Sequence, residues 1–392
     1  MTTLTRGVRT IVLFGAALVV TACGTTPTLG VLLPMTGAAS SYGESMKHGT
    51  ELALAEAEAE GALPAGLVVE WADSETDPET AVAAFRSLAS DAGAKLVICG
   101  TTSDSAKALL PVMDQLDTIC LSPSATAPML TKESRLFFRV FPSDELEGQR
   151  AGRFLREDQD RSTVLIFAED TEQARGIEPP FRQVFEQAMG GKVVGRVVLN
   201  GGDWRREAAD IVSAEQPEAV YVIAYAEKAL EVLRHLREQN FSGTLLAASS
   251  FYSGPFIEAH PEEFEGVFVP LPAFDTQDES NPLVKSFVES YRETYDDEPD
   301  IYAAHAYDAM RVALEVFRST KAFNVTELRR ALQFGIKEFP GVTGIIQFTE
   351  YGDVHHNPIM FTIRDGQVLN YERFIEEEKS RIRERIRDLL QK

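Results

Sequence analysis

Short apolar runs alternate with amphipathic helical stretches along most of the chain, and no other feature constrains the fold as strongly. Leu29 to Leu33, Val68 to Trp71, Lys95 to Cys99 and Thr118 to Leu121 each read as a strand. Their near-continuous hydrophobicity suits strands buried on both faces of a parallel sheet. Between them, helical patterns run from about Tyr42 to Glu60, Thr80 to Ala89 and Ser103 to Leu116. In the first, Met46, Ala53 and Ala57 share a face while Glu44, Lys47 and Glu51 are left to water. Repeated strand–helix–strand units give an α/β fold with helices packed on the sheet.

The rhythm then breaks and restarts. Phe137 to Val140 is a further strand, Pro142-Ser143-Asp144 reads as an exit, and a helix covers Glu145 to Glu157. Strands at Thr163 to Phe167, Val193 to Leu199, Ala219 to Ala224, Leu245 to Ala248 and Gly266 to Val269 build a second sheet. A chain of 392 residues is long enough for two cores. The prolines of Pro270-Leu271-Pro272 mark a return crossing. Helices follow at about Pro282 to Tyr295, Ile301 to Ser319 and Val325 to Leu332. Ile345 to Phe348 and Ile359 to Arg364 are expected to pair as terminal strands, and Asp365-Gly366 is a hairpin turn signal. Residues 372–392 carry an apolar stripe, Ile375, Ile382, Ile386 and Leu389, with acids early and arginines late, as the helix dipole favours. This appended helix is expected to pack on the body or on a partner.

The first 22 residues read as a processing signal. Arg6 and Arg9 precede the apolar run Ile11 to Val20, which is too short for a comfortable membrane span. Val20-Thr21-Ala22-Cys23 resembles the bacterial lipobox, which implies cleavage before Cys23, lipidation of its thiol and a short tether, residues 23–27. Gly24 replaces the aspartate of the inner-membrane retention signal, so in a two-membrane cell the resemblance favours the periplasmic face of the outer membrane. Cys99 and Cys120 would then be the remaining thiols. They lie on adjacent predicted strands in an exported chain, so they are candidates for a disulfide or for paired buried thiols. The net charge of −22 argues against nucleic acid as a main partner.

Two hydroxyl-rich turns leave the expected sheet at one edge: Gly100-Thr101-Thr102-Ser103-Asp104-Ser105 and Ser122-Pro123-Ser124-Ala125-Thr126-Ala127. Open α/β sheets bind ligands at that edge. An anion placed there would meet serine and threonine donors and the amides that open a helix. Ser103 or Thr126 alone could be a simple cap; together, in matching positions, they favour a site. Trp204 has the spacing of helix-face packing with Ala208 and Ile211. Asp353, His355 and His356 read as an exposed turn rather than a metal site, because adjacent histidines diverge. Ser249-Ser250 lacks a nucleophile-elbow context, and Gly37, Gly43 and Gly49 do not form the dinucleotide fingerprint. No catalytic residue, metal or cofactor is expected.

These segments together resemble the type I periplasmic-binding-protein superfamily, in its Leu/Ile/Val-binding-protein-like branch. The similarity rests on Leu33-Pro34-Met35-Thr36-Gly37 with Tyr42-Gly43, Gly100 to Ser103, and Ser122-Pro123-Ser124-Ala125-Thr126. It continues through Asp170-Thr171 to Arg175-Gly176, Tyr302-Ala303-Ala304 to Ala306-Tyr307-Asp308-Ala309, and Gly341-Val342-Thr343-Gly344 before Phe348 and Gly352-Asp353. The resemblance implies two Rossmann-like lobes with parallel sheets, joined by three hinge crossings. Lobe one would comprise residues 28–141 and 275–340, and lobe two residues 142–274 and 341–371. It also implies that Ser103 and Thr126 hold a ligand carboxylate, that backbone near Ser124 or Ala125 accepts from an ammonium group, and that Tyr42 and Tyr225 border the cleft.

The second lobe departs from the family pattern. Gln173 stands where a ligand-facing tyrosine is usual, and Ser250 where an acidic residue pairs with ammonium. A buried ammonium needs a compensating charge or a full set of acceptors, so this change disfavours an ordinary aliphatic amino acid. Glu227 could swing in, but its place near a helix start favours solvent. The expected function is an extracytoplasmic solute-binding lipoprotein that delivers a small polar amino-acid-like, amide or carboxylate ligand to an ABC transporter permease. The alternative is a non-transport regulatory or envelope-assembly lipoprotein with an altered or vestigial cleft.

Overall fold

A computed structural model describes residues 26–199, 201–278 and 281–390. The expected signal segment and Cys23 lie outside the described residues. The first run alternates strand and helix: β1 (Thr28–Leu33), α1 (Ser40–Ala59), β2 (Val68–Asp73), α2 (Pro78–Arg86), β3 (Leu96–Cys99), α3 (Ser103–Leu116), β4 (Ile119–Ser122), α4 (Met129–Glu133) and β5 (Phe137–Arg139). Its strands form one parallel sheet in the order β2-β1-β3-β4-β5. Every residue of β3 and β4 is buried, as their apolar composition requires.

The chain then builds a second lobe from α5 (Asp144–Arg153), β6 (Thr163–Ala168), α6 (Glu172–Arg182), β7 (Lys192–Val198), α7 (Trp204–Glu215), β8 (Ala219–Ile223), α8 (Ala226–Glu238), β9 (Thr244–Ala247), a 3₁₀ turn at Ser249–Phe251, α9 (Gly254–Ala259), α10 (Pro261–Phe264) and β10 (Phe268–Leu271). Read from one edge, this sheet runs β7-β6-β8-β9-β10, the same winding as the first. β10 continues through Pro270. That is tolerable because β10 pairs along its length with β13, whereas only Phe268 is in register with Leu246 of β9.

The chain returns to the first lobe as α11 (Pro282–Tyr295), α12 (Ile301–Ser319) and α13 (Val325–Arg330). α12 lies against α1 so closely that a side chain at Gly49 would sit 2.0 Å from the Ala303 carbonyl oxygen. β11 (Phe339–Gly341) and β12 (Gly344–Ile346) form a small antiparallel pair, and β13 (Ile359–Arg364) and β14 (Gln367–Asn370) extend the second sheet. The expected pairing of Ile345 to Phe348 with Ile359 to Arg364 is therefore corrected. The tight Gly341–Gly344 turn gives β12 a nearer partner, and β13 takes β10 and β14. Asp365 and Gly366 both have positive φ and turn the β13–β14 hairpin, as expected.

Two points that the sequence leaves open are decided by the structure. Cys99 and Cys120 are free, fully buried thiols rather than a disulfide. The register sets Val97 opposite Cys120, the two thiols lie close enough to interact, and Cys99 Sγ donates to the Val97 carbonyl at 3.6 Å. They serve as small apolar core groups. The final helix, α14 (Tyr371–Leu390), packs on the body only at its start. There Tyr371 lies edge-on to Phe154 and Phe268 and accepts a hydrogen bond from Gln159, while Arg373 pairs with Asp275. Farther along, Ile382 and Ile386 are 56% and 51% exposed.

The third crossing is pinned to lobe one by two buried polar groups. Asp308 of α12 accepts the N–H groups of Val342 and Thr343, at 3.0 and 2.9 Å, and the Thr343 hydroxyl at 2.7 Å. Arg139, only 1% exposed, donates from Nε to Asp353 at 2.6 Å and from Nη1 to the Ala127 carbonyl at 3.1 Å. Asp353 is thus an anchor and not the plain exposed turn expected. Deleting its carboxylate would leave a buried guanidinium unpaired. Asp353→Ala is expected to cost roughly 3–5 kcal/mol in chemical denaturation, and a loss below about 1 kcal/mol would reject the anchoring role.

Candidate ligand-binding site

Because both sheets share one winding, the same three loops leave each lobe beside its point of strand-order reversal. In lobe one they follow β1, β3 and β4; in lobe two they follow β6, β8 and β9. Residues from all six meet around a central cavity of about 40 Å³. That is room for roughly three waters. A second cavity of about 680 Å³ adjoins it, sharing Ala39, Tyr42, Thr102 and Tyr225 and including Glu227 in its lining. The charged side chains near the site line this outer space; the central wall is neutral.

The lobe-one wall is set by close packing and hydroxyls. A side chain at Gly100 would sit 2.5 Å from a Leu33 methyl and 2.7 Å from the Met46 sulfur, so glycine lets the strand end fold directly into α3. Thr102 caps α3, its Oγ1 accepting the Ser105 N–H at 3.3 Å. Ser122 Oγ accepts from the N–H groups of Ser124 and Ala125, at 3.3 and 2.9 Å, and so bends the β4 loop. Ser103 Oγ accepts the N–H groups of Thr126 and Ala127, both at 3.1 Å. A hydroxyl that accepts twice keeps its proton to donate, here beside the amides opening α3. Thr101 Oγ1 lines the same wall, is buried, and has no protein partner.

Seven of the eight expected ligand residues line this cavity: Tyr42, Ser103, Ser124, Thr126, Gln173, Tyr225 and Ser250. Ala125 does not. Its N–H is held by Ser122, and its carbonyl faces Arg139 Nη1 at 3.4 Å, so it shapes the loop from behind. Ser124 Oγ donates to the Thr101 carbonyl at 3.0 Å, tying the two turns together. Tyr42 reaches across the cleft and donates to the Ser250 carbonyl at 2.9 Å. Burial pushes its phenol pKa up, so it stays a donor. A second bridge joins Lys107 to Glu172 at 2.8 Å. Trp204 packs in the core against Phe167 and His235, as its helical spacing suggested.

Sequence reasoning missed Thr101, Ser249, Phe141 and Tyr302 in the wall, and two carboxyls behind it. Asp144 and Glu147 are buried on the face of α5 that meets α6, where a side chain at Gly148 would lie 2.3 Å from the Ile177 carbonyl oxygen. Glu147 accepts the Ser249 N–H at 2.9 Å and the Ser249 hydroxyl at 2.5 Å. Asp144 lies against Thr126 and Gln173, yet neither carboxyl oxygen completes a hydrogen bond. Burial, and then the neighbouring Glu147, raise Asp144 far above the carboxylate range. Burial pushes Glu147 up to about 7 against the pull of its Ser249 hydrogen bonds. Glycines 148 and 152, one turn apart, signalled this close helix face; nothing signalled that acids would share it.

The model of the periplasmic binding protein family matches residues 26–367. The chain belongs to that family. The leucine-, isoleucine-, valine-, threonine- and alanine-binding protein of Pseudomonas aeruginosa is 25% identical over 327 residues, covering 82% of this chain and 85% of that one. The branched-chain amino acid transporter substrate-binding protein LivJ of Streptococcus pneumoniae, solved with isoleucine, superposes with a TM-score of 0.80. It is 23% identical and covers 88% of this chain and 98% of its own. A solute-binding protein from R. palustris, solved with benzoate, has a TM-score of 0.76 at 20% identity, covering 88% and 96%. The chain has the two-lobed α/β fold of the solved solute-binding proteins it resembles. Among the described residues no helix is long and apolar enough to cross a membrane, and no group of three His, Cys, Asp or Glu side chains could hold a metal.

The Glu147 carboxyl makes stability depend on pH. Its folded pKa of about 7 lies above its ordinary value of 4.5, so the native state holds this proton more tightly than the unfolded chain does. Stability is therefore greatest below the ordinary value and falls as pH rises through about 7. Glu147→Gln is expected to flatten the decline of melting temperature between pH 5.5 and 8. An unchanged slope would contradict the assignment.

Proposed function

We propose that the protein is an extracytoplasmic solute receptor of an ABC-type uptake system, held at a membrane by lipid on Cys23. Its ligand is a small polar organic solute bearing a carboxylate or carbonyl. The observation that carries this reading is the lobe-one wall: the free proton of Ser103, the unpartnered buried Thr101 hydroxyl and the opening amides of α3 converge on one cavity. Such a wall suits a carboxylate because it offers several donors and the positive end of a helix without a competing cation.

The rest of the geometry supports capture by closure. Tyr42 and Tyr225 would enclose the ligand's body, and contacts from both lobes stabilise the closed form only while both engage the ligand. The relatives solved with isoleucine and with benzoate both place a carboxylate-bearing molecule in this fold, which fits the chemistry of the wall. The family and the signal segment read in the sequence support the permease partner and the extracytoplasmic location.

Mass spectrometry of solute released from protein purified from its own cells will identify a ligand without presupposing its class. Ser103→Ala and Thr126→Ala are expected to weaken that ligand about 10- to 100-fold, Thr126→Ala with a melting temperature near wild type and Ser103→Ala with a lower one, because it strips two buried N–H groups of their acceptor; unchanged affinity would reject the assigned wall. Cys23→Ser is expected to release the protein from the membrane fraction. Retention there would refute lipid anchoring through this residue.

A further inference from the structure

The central cavity has hydroxyls, amides, aromatic rings and Gln173 in its wall, and no charged side chain. A ligand with a carboxylate alone needs nothing more. A zwitterion would bring an ammonium group whose burial demands negative charge nearby. The lobe-two wall opposite the α3 amides is the turn that carries Ser249 and Ser250. Directly behind it lies Glu147, bonded to both the N–H and the hydroxyl of Ser249.

Resting on the receptor reading above, we infer that Glu147 is the counter-ion for a ligand ammonium group, acting through the Ser249 hydroxyl, so the site takes α-amino acids and couples their binding to proton release. Ser249 Oγ donates to Glu147 and keeps lone pairs with which to accept from an ammonium in the cavity. Tyr42 already occupies the Ser250 carbonyl on one side, and Ser250 Oγ donates to the Ala224 carbonyl at 2.9 Å. The hydroxyl of Ser249 is thus the acceptor in this turn that is backed by a carboxylate. The ammonium charge that Ser250 fails to meet is met one residue away and one layer deeper. Glu147 is a positioning and specificity-determining residue, since it reaches the ligand through Ser249.

Glu147 is the carboxyl bonded to the Ser249 turn. Asp144, one turn back on α5, is also raised, by burial and by Glu147, while Arg139 and the Thr126 and Gln173 side chains pull it down. Tyr221 of β8 and Tyr302 of α12 also feel the Glu147 charge, and burial keeps both phenols protonated. The charged residues of α6 and the segment after it, packed on α5, are paired elsewhere: Glu172 with Lys107 and Arg175, Glu178 with Arg182 and Arg196, Glu186 with Arg182. Glu169 accepts the Tyr225 N–H but lines the outer cavity, where Lys228 offsets its charge. Burial holds Glu147 near pH 7, so a cation arriving at Ser249 expels its proton there.

Calorimetry of the wild-type protein with L-leucine, at pH 6 and pH 8 and in two buffers of different ionisation enthalpy, tests this directly. The free ammonium of leucine is charged at both pH values. Binding is expected to be about tenfold tighter at pH 8, with close to one proton released per leucine at pH 6 and little at pH 8. 4-Methylpentanoate, which is leucine without its amino group, is expected to gain nothing from the rise in pH. Glu147→Gln is expected to remove the proton release and to weaken leucine at pH 8, while retaining 4-methylpentanoate. Leucine binding of equal strength at both pH values without proton release would overturn the inference and leave the receptor reading standing. No leucine binding, with 4-methylpentanoate still captured, would overturn it likewise. Failure of every solute, including whatever the native protein carries, would bring down the receptor reading with it.

Discussion

The hydrogen bond from the Tyr42 phenol to the Ser250 carbonyl joins one lobe to the other across the cavity. It is possible only because both sheets wind the same way and present their strand ends to each other. Each lobe alone would leave polar groups of three loops facing water. Brought together, the groups exclude water and need one another or a ligand, since a buried polar atom without a partner is costly. Thr101 Oγ1 is such an atom in the wall itself. The site is accordingly a place where hydrogen-bonding capacity exceeds what the protein can satisfy internally.

Rigidity and freedom are divided between the crossings and the cleft. Asp308 and the Arg139–Asp353 pair fasten the third crossing to lobe one before the chain enters β13. Arg139 also braces the carbonyls of Ala125 and Ala127, so the loop that offers Thr126 to the cavity and the crossing share one buried cation. Besides the buried Tyr42 bond, the cleft is spanned by the pair of half-exposed Lys107 with Glu172. Contacts of that kind are worth little singly and can break and re-form. A closure that is weak without ligand and reinforced with it is what a receptor requires.

Much of this was legible in the sequence, for identifiable reasons. Buried parallel strands are nearly continuous apolar runs, so β3 and β4 could be read directly, and the hydroxyl-rich turns after them followed. Seven of the eight residues chosen for the ligand face the cavity, because loops at a strand-order reversal have little freedom to face elsewhere. What failed depended on neighbours that sequence does not carry. A tight turn gives β12 a nearer partner than β13. Asp144 and Glu147, at the acidic start of a helix, carried no signal of burial, and they are buried because α6 lies against the glycines beside them.

A crystal structure of the protein purified from its own cells, with its co-purified solute retained, would bear most directly on the central claim. The account predicts the solute between the lobes, with an oxygen within hydrogen-bond reach of Ser103 Oγ and the opening amides of α3, and with Tyr42 closed onto the Ser250 carbonyl. A central space filled by protein side chains, or a solute held solely in the outer cavity away from Ser103, would contradict it.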